Sequence, residues 1–355
     1  MRVHWWCEYL GIGFIQLGSK ENESHLLECA SGTFFSSNHN LSLPSINSSI
    51  FGIVFIFCHF IFSVNLEDGS VCELPRFPEV DQHQPGPILL NYEPTRGYVV
   101  ACSERGPCFT LSENTTWNWE SIAPIPNYHC HKAGEVYAYE MGNRGLWVGD
   151  ADCFYKGMNH QFLTLDNKWI TIKTELPYQD FYPRYACLVA LNTSHILLTG
   201  GWNDAEYAVS EETWLLDLDQ NSWTSYTPLL APRLGHNCAL TPSGQVLIVG
   251  GLLNGENSVQ ILDPVTKAWS QGPRLPPSMS PTKPGMMLMN QQLILLEMQS
   301  NRIWLLKEEA ATAEGFVWDQ ILELTLEDDE DGNLAEFVAS DTFTMVPESF
   351  KNTCL

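Results

Sequence analysis

The sequence predicts an all-β propeller: six four-stranded sheets stacked radially around one axis, the last closed by strands from both ends of the chain. Three observations predict it. Tryptophans recur at Trp119, Trp169, Trp223, Trp269 and Trp318, with gaps of 50, 54, 46 and 49 residues. Apolar segments that end in paired glycines, Gly200-Gly201 and Gly250-Gly251, lie fifty residues apart. The first four tryptophans each precede a short segment stopped by proline, which cannot donate to a sheet ladder.

Each repeat reads as four short strands. HILLTGGW (195–202) and QVLIVGGL (245–252) are apolar strands ending in glycine. YVVAC (98–102), LWVGD (146–150) and LILLEM (293–298) hold the same place in weaker repeats. A further strand and a turn then lead to the tryptophan in ETWLLDLDQNSW (212–223) and VQILDPVTKAW (259–269), where Asp-Gln-Asn and Asp-Pro are turn formers. In the first repeat Trp117 competes with Trp119, which leaves the register there open by two residues. A lone four-stranded sheet cannot bury either face, whereas radial stacking buries each sheet against its neighbours. Paired glycines allow close backbone approach and positive φ, and the indoles wedge between adjacent sheets.

Strand–Gly-Gly–strand–turn–Trp, preceded by Pro-Arg-x-x-His, resembles the kelch repeat. The match is best over Tyr182–Pro277, where PRYACLVALNTSHILLTGG is followed by PRLGHNCALTPSGQVLIVGG, and it is degraded across 78–330. Phe162, Leu216 and Leu262 stand where the family usually has tyrosine, and only two repeats keep both glycines. VCELPRFP (71–78) looks like the end of a unit and GNLAEFVASDTFTMVP (332–347) like a beginning. The resemblance implies that these join in a sixth blade, and that Cys72 and Cys354 then bridge to clamp the ring.

Residues 65–355 are therefore expected to form the propeller, and 1–64 to lie outside it. The apolar run Ile50–Val64 contains no charge. As a helix it would span about 22 Å, short of a bilayer core of roughly 30 Å but suited to a secretory leader. Forty-nine residues precede it, so the readings left open are a wrongly joined upstream exon, a long leader, an uncleaved anchor and a buried strand pair. Only the uncleaved anchor would imply membrane insertion. Removing 1–64 takes the cysteines from eleven to eight, an even set that fits an oxidised, secreted protein. Asn114-Thr115-Thr116 and Asn192-Thr193-Ser194 are glycosylation acceptor sequences. Eighteen Lys and Arg against 42 Asp and Glu, a net charge of −24, exclude general nucleic-acid binding.

Enzyme signatures are missing: no G-x-S-x-G elbow, H-E-x-x-H, Walker loop, C-x-x-C pair or dinucleotide fingerprint occurs. Neither a cofactor nor a metal is expected. Copper-radical galactose oxidase also has kelch-type blades, but no local motif matches its site. His129-Cys130-His131 places two imidazoles on one strand face, an incomplete metal site, with Cys130 read as a disulfide partner. The acidic run Glu327–Asp331 fails the EF-hand pattern because Val338 falls where the bidentate glutamate is required. Cys102 and Cys108 enclose SERGP, and a local bridge is expected across that turn. The functional expectation is a non-catalytic module of the secretory or extracellular space that binds a protein or carbohydrate. The alternatives are an intracellular kelch adaptor of a ubiquitin ligase and, further off, a propeller oxidase.

Overall fold

The computed structural model describes residues 50–57, 60–65, 71–75, 78, 87–93, 96–103, 107–112, 118–126, 136–150, 159–174, 183–203, 206–251, 258–276, 285–289, 292–297, 302–308, 316–323 and 343–347. Chain order begins with β1 (Ile50–Phe57), β2 (Phe60–Asn65) and β3 (Val71–Leu74). The first blade follows: β4 (Pro87–Glu93), β5 (Tyr98–Ser103), β6 (Cys108–Ser112) and β7 (Trp119–Ile122). The second holds β8 (Val136–Glu140), β9 (Leu146–Asp150), β10 (Asn159–Leu163) and β11 (Trp169–Lys173).

In the third blade, β12 (Pro183–Arg184) leads into β13 (Cys187–Asn192) and β14 (His195–Thr199). Then come β15 (Trp202–Asn203), β16 (Ala208–Val209), β17 (Thr213–Asp217) and β18 (Ser222–Ser225). The fourth blade is β19 (Asn237–Leu240), β20 (Val246–Val249), β21 (Val259–Asp263) and β22 (Ala268–Gln271). The fifth is β23 (Gly285–Met289), β24 (Gln292–Glu297), β25 (Arg302–Glu308) and β26 (Phe316–Glu323), and β27 (Phe343–Pro347) ends the series.

Five four-stranded antiparallel sheets are thus contiguous in sequence. A further four-stranded sheet has the order β27-β1-β2-β3 and takes strands from both ends of the chain. The first strands of successive sheets touch in the cyclic order β27, β4, β8, β13, β19, β23 and back to β27, which closes the ring around an axis. Propeller class and four-stranded blades therefore agree with the sequence expectation. The domain boundary differs. Residues 1–64 were expected outside the fold, yet 50–57 and 60–65 form a hairpin within the closing sheet. Fifteen uncharged apolar residues suit a leader and a buried strand pair equally, because hydrophobicity without alternation carries no period to separate them.

The five indoles fall at one place. Each lies in the fourth strand of its blade and pairs with a leucine of the third: Leu111↔Trp119, Leu163↔Trp169, Leu216↔Trp223, Leu262↔Trp269 and Leu306↔Trp318. The same register places Trp119, and not Trp117, in phase with the others. Three indole N–H groups reach back to a carbonyl just past the fourth strand of the preceding blade. Trp119 donates to Pro75 O at 2.9 Å, Trp169 to Ala123 O at 2.8 Å and Trp269 to Thr227 O at 2.8 Å. Each of these rings packs between sheets and ties them together. The intervening core is apolar, as in the cluster of Leu188, Ile196, Leu198 and Leu216 between the second and third blades.

Near the axis the joints between blades differ in kind. Asn91 Nδ2 donates to Ala138 O at 3.3 Å, linking the first two blades. Tyr137 and Tyr139 hydroxyls donate to Ala186 O at 3.1 Å and Leu188 O at 2.6 Å, linking the second to the third. Burial pushes the Tyr139 phenol up, so it stays a neutral donor. A disulfide between Cys187 and Cys238 joins the third blade to the fourth, with the two Cα atoms 6.0 Å apart.

Candidate functional site

Antiparallel order sorts every connection to one of two faces. Connections from first to second and third to fourth strand meet on one face, here the turn face. Connections from second to third strand, and from the fourth strand to the next blade, meet on the other, the crossover face.

Among the described residues the turn face carries tight, internally bonded turns. Asp217 Oδ1 accepts from the Asp219 N–H at 2.8 Å, and Asp263 Oδ1 accepts from the Val265 N–H at 2.8 Å, the same Asx turn one repeat apart. The Val265 and Thr266 N–H groups hold the Asp263 carboxyl below the usual carboxylate range. Neighbouring turns also grip each other. Arg96 donates to Asn167 Oδ1 at 2.7 Å and Arg144 pairs with Asp219, each contact crossing from one blade to the next. Asn192 lies here, exposed, its Oδ1 accepting from the Ser194 N–H at 2.8 Å.

The crossover face carries the longer connections. Between Ser225 and Asn237 the chain passes from the third blade to the fourth, and between Thr199 and Thr213 it forms β15 and β16, which join β12 in a small extra sheet of order β12-β15-β16. The paired glycines sit at this face, just past the second strands. Their φ values are +57° and +100° at Gly200 and Gly201, and +71° and +100° at Gly250 and Gly251. A Cβ on Gly201 would stand 2.8 Å from Arg184 O, so the strand end cannot take a side chain.

Arg233 and His236 supply the polar closure of this corner. The Arg233 guanidinium, 2% exposed as a residue, donates to Gly250 O at 2.8 Å and to Ser258 O at 3.0 Å. Burial lowers its pKa to about 10, which still leaves it charged at neutral pH. His236 Nε2 lies 2.9 Å from Thr199 Oγ1 across the blade boundary. Burial, with the nearby Arg233 charge second, lowers the His236 pKa to about 3, so the ring is neutral. These two groups hold blades together and are not exposed for catalysis.

The third blade departs from this arrangement. Arg184 O approaches Gly201 as Leu234 O approaches Gly251, and Ala186 stands where His236 stands. Tyr185 then matches Gly235: both are left-handed, with φ of +55° and +63°. Tyr207, at φ +51°, is the other left-handed tyrosine of this blade. Tyr185 is 43% exposed, Tyr207 83% and Leu230 52%. Sequence reasoning missed this group. Its signal is a one-residue shortening of PRYA, before Cys187, relative to PRLGH, before Asn237, hidden when the two Pro-Arg pairs are aligned.

Cys102 and Cys108 are bonded across the β5–β6 ladder, at the crossover end of the first blade. Cys72 lies in β3, but its side chain, Cys354 and hence their expected bridge lie outside the described residues. So do Asn114, His129-Cys130-His131 and the acidic run 327–331. Among the described residues no three His, Cys, Asp or Glu side chains gather as a metal site, and no helix is long and apolar enough to cross a membrane.

The kelch motif matches residues 233–276, which take in the fourth blade. Human Kelch-like protein 23 is 29% identical over 112 residues, covering 31% of this chain and 19% of its own length; the chain thus matches about a fifth of that relative. A solved protein titled "Structure of YjhT" aligns over 79% of this chain and 99% of its own, with a TM-score of 0.52 and 11% identity, a likeness of fold alone. What the motif covers in one blade, the common strand register and the recurring Trp–Leu pairs extend to the four other contiguous blades. The fold is a kelch-type β-propeller of four-stranded blades, with the kelch motif itself matched in the fourth.

Proposed function

We infer that this propeller is a non-catalytic binding module whose crossover face grips a protein or carbohydrate partner in the secretory or extracellular space. One observation carries the reading: among the described residues the turn face holds short turns, some bonded from blade to blade, while the longer described connections and the exposed Tyr185 and Tyr207 lie on the crossover face. The kelch fold supports a binding role in general. The bridges Cys102–Cys108 and Cys187–Cys238 support an oxidising compartment. A glycan on Asn192 would stand on the turn face, clear of the partner.

The test is photo-crosslinking of the full chain, expressed through the secretory pathway, with the photoreactive group at Tyr207 or at Val265 on the turn face. Adducts formed from Tyr207 alone support the reading; equal adducts from both sites, or from Val265 alone, end it. Glycosidase-sensitive mobility that disappears in the double variant Asn114→Gln/Asn192→Gln supports the compartment. A fully reduced cytosolic product would favour the adaptor alternative, which the match to Kelch-like protein 23 keeps in view.

A further inference from the structure

We propose that the joint between the second and third blades is an acid-sensitive seam, in which protonation of His160 parts the two blades at the crossover face. This control is separate from the binding role inferred above and holds for any partner. Its origin is a side chain that the fold buries and does not bond. His160 is 1% exposed, and neither of its ring nitrogens has a hydrogen-bond partner. A neutral imidazole carries one donor and one acceptor, so one of each is buried unmet.

Strand order puts this ring inside the seam. His160 stands two residues before Phe162 on β10, so the two share one side of the sheet. On that side Phe162 and Trp147 pack with Ala186, Leu188 and Leu198 of the third blade. The His160 ring centre lies 6.0 Å from that of Trp147 and 6.1 Å from that of Phe162. Ile172 is its ladder partner on β11. Continuing the β9–β10 register sets Gly149 opposite on the inner side, where the Trp147 indole takes the room: a Cβ on Gly149 would stand 2.3 Å from Trp147 Cη2. β10 starts at the crossover face, which places His160 at that end of the seam.

An imidazolium here finds nothing to bond. The Trp147 N–H is a donor and itself lacks a partner. Tyr137 and Tyr139 hydroxyls donate to Ala186 O and Leu188 O, and burial keeps the Tyr139 phenol neutral. Among the described residues on the elements packed here, Lys173 and Arg184 are exposed, and Glu140, His195 and Asp217 stand at the turn-face ends of their strands. Arg144 and Asp219 pair at that same far end. Glu212 accepts from Trp214 Nε1 at 3.3 Å. Arg233 and His236 belong to the next joint, where His236 meets Thr199.

Acid then acts in one direction. Burial lowers the His160 pKa to about 4, while in the parted seam the ring regains its solvent value near 6.5. The closed joint holds its full advantage above pH 6.5 and loses it as pH falls toward 4. At pH 5 the ratio of parted to closed seam rises about thirtyfold over its value at pH 7.5. The joint between the third and fourth blades is tied covalently by Cys187 and Cys238 and does not part in this way.

The test traps brief openings with dithiodipyridine, a thiol reagent that works in acid. It uses full chains carrying Leu198→Cys in this seam or Leu295→Cys in the core between the fourth and fifth blades, both sites being buried. Labelling of the new thiol, located by peptide mass spectrometry, is divided by the rate of a small free thiol at the same pH. A rise of about thirtyfold from pH 7.5 to pH 5 is expected at Leu198→Cys. Less than about threefold is expected there once His160→Phe is added, and at Leu295→Cys. No rise, a rise that survives His160→Phe, or an equal rise at Leu295→Cys would each overturn the proposal. A second measurement needs no substitution: exchange of the His160 imidazole C2 hydrogen, followed by mass spectrometry, is expected to titrate near pH 4. A midpoint near 6.5 would overturn the proposal as well.

Discussion

Removing the Cys187–Cys238 bridge tests the ring directly. The two cysteines are 51 residues apart, and Cys102 and Cys108 only 6. In the chain-entropy account a bridge stabilises by restricting the unfolded chain, with a logarithmic dependence on the loop it closes. The long loop is then worth about 4 kcal/mol and the short one about 2 kcal/mol. Sulfur burial does not separate the pairs, since Cys102, Cys108 and Cys187 are 0% exposed and Cys238 is 3% exposed. Double alanine substitutions therefore lose similar packing, and the difference of about 2 kcal/mol isolates the loop term. Urea unfolding followed by tryptophan fluorescence measures it, as the change in midpoint multiplied by the slope. A Cys102→Ala/Cys108→Ala variant that loses as much as Cys187→Ala/Cys238→Ala, or more, would refute the reasoning.

Acid should weaken the fold before the carboxylates titrate. Burial lowers the His160 pKa to about 4 and the His236 pKa to about 3, both below the unfolded value near 6.5. Their contribution is complete above pH 6.5 and falls as the unfolded chain takes up protons, by up to about 1.4 kcal/mol per pH unit for each histidine, between pH 6.5 and 4. His236→Asn should flatten that slope in urea titrations; an unchanged slope would show that His236 is not held neutral. Gly201→Ala, with its Cβ 2.8 Å from Arg184 O, should cost about 3 kcal/mol, against about 1 kcal/mol for Gly235→Ala, whose Cβ meets nothing. Equal midpoints for the two would remove the close-approach argument. N-terminal sequencing of the mature chain should find a start upstream of Ile50, because β1 and β2 belong to the closing sheet; a start near residue 65 would mean that sheet forms without them.

Much of the fold was legible because one side chain is hard to replace. An indole wedged opposite a third-strand leucine recurs once in each of the five contiguous blades, so its spacing is readable where the glycines and the tyrosine of the repeat are not. The closing hairpin was not legible: Ile50–Val64 is apolar throughout, and no Gly, Pro or Asn marks the connection at 58–59. The even cysteine count rested on removing residues 1–64, Cys58 among them, and it says nothing of pairing. The separation of 51 between Cys187 and Cys238 is close to one repeat, yet only the adjacency of β13 and β19 joins them. Tyr185 escaped notice for a related reason. A single missing residue before β13 carries it into a glycine's backbone conformation, and side-chain patterning does not report φ.

The mixed character of the inter-blade joints gives the ring a mechanical polarity. Pulled from its ends, the chain shears β27 from β1 first, since that pairing alone joins the C-terminal strand to the closing sheet. Extension then works inward, past the short loop closed by Cys102 and Cys108, to the long covalent link at Cys187 and Cys238. The segment between them holds roughly 180 Å of slack that stays unreachable until a reductant cuts the tether. Oxidation state therefore sets how far this molecule can be drawn out under load.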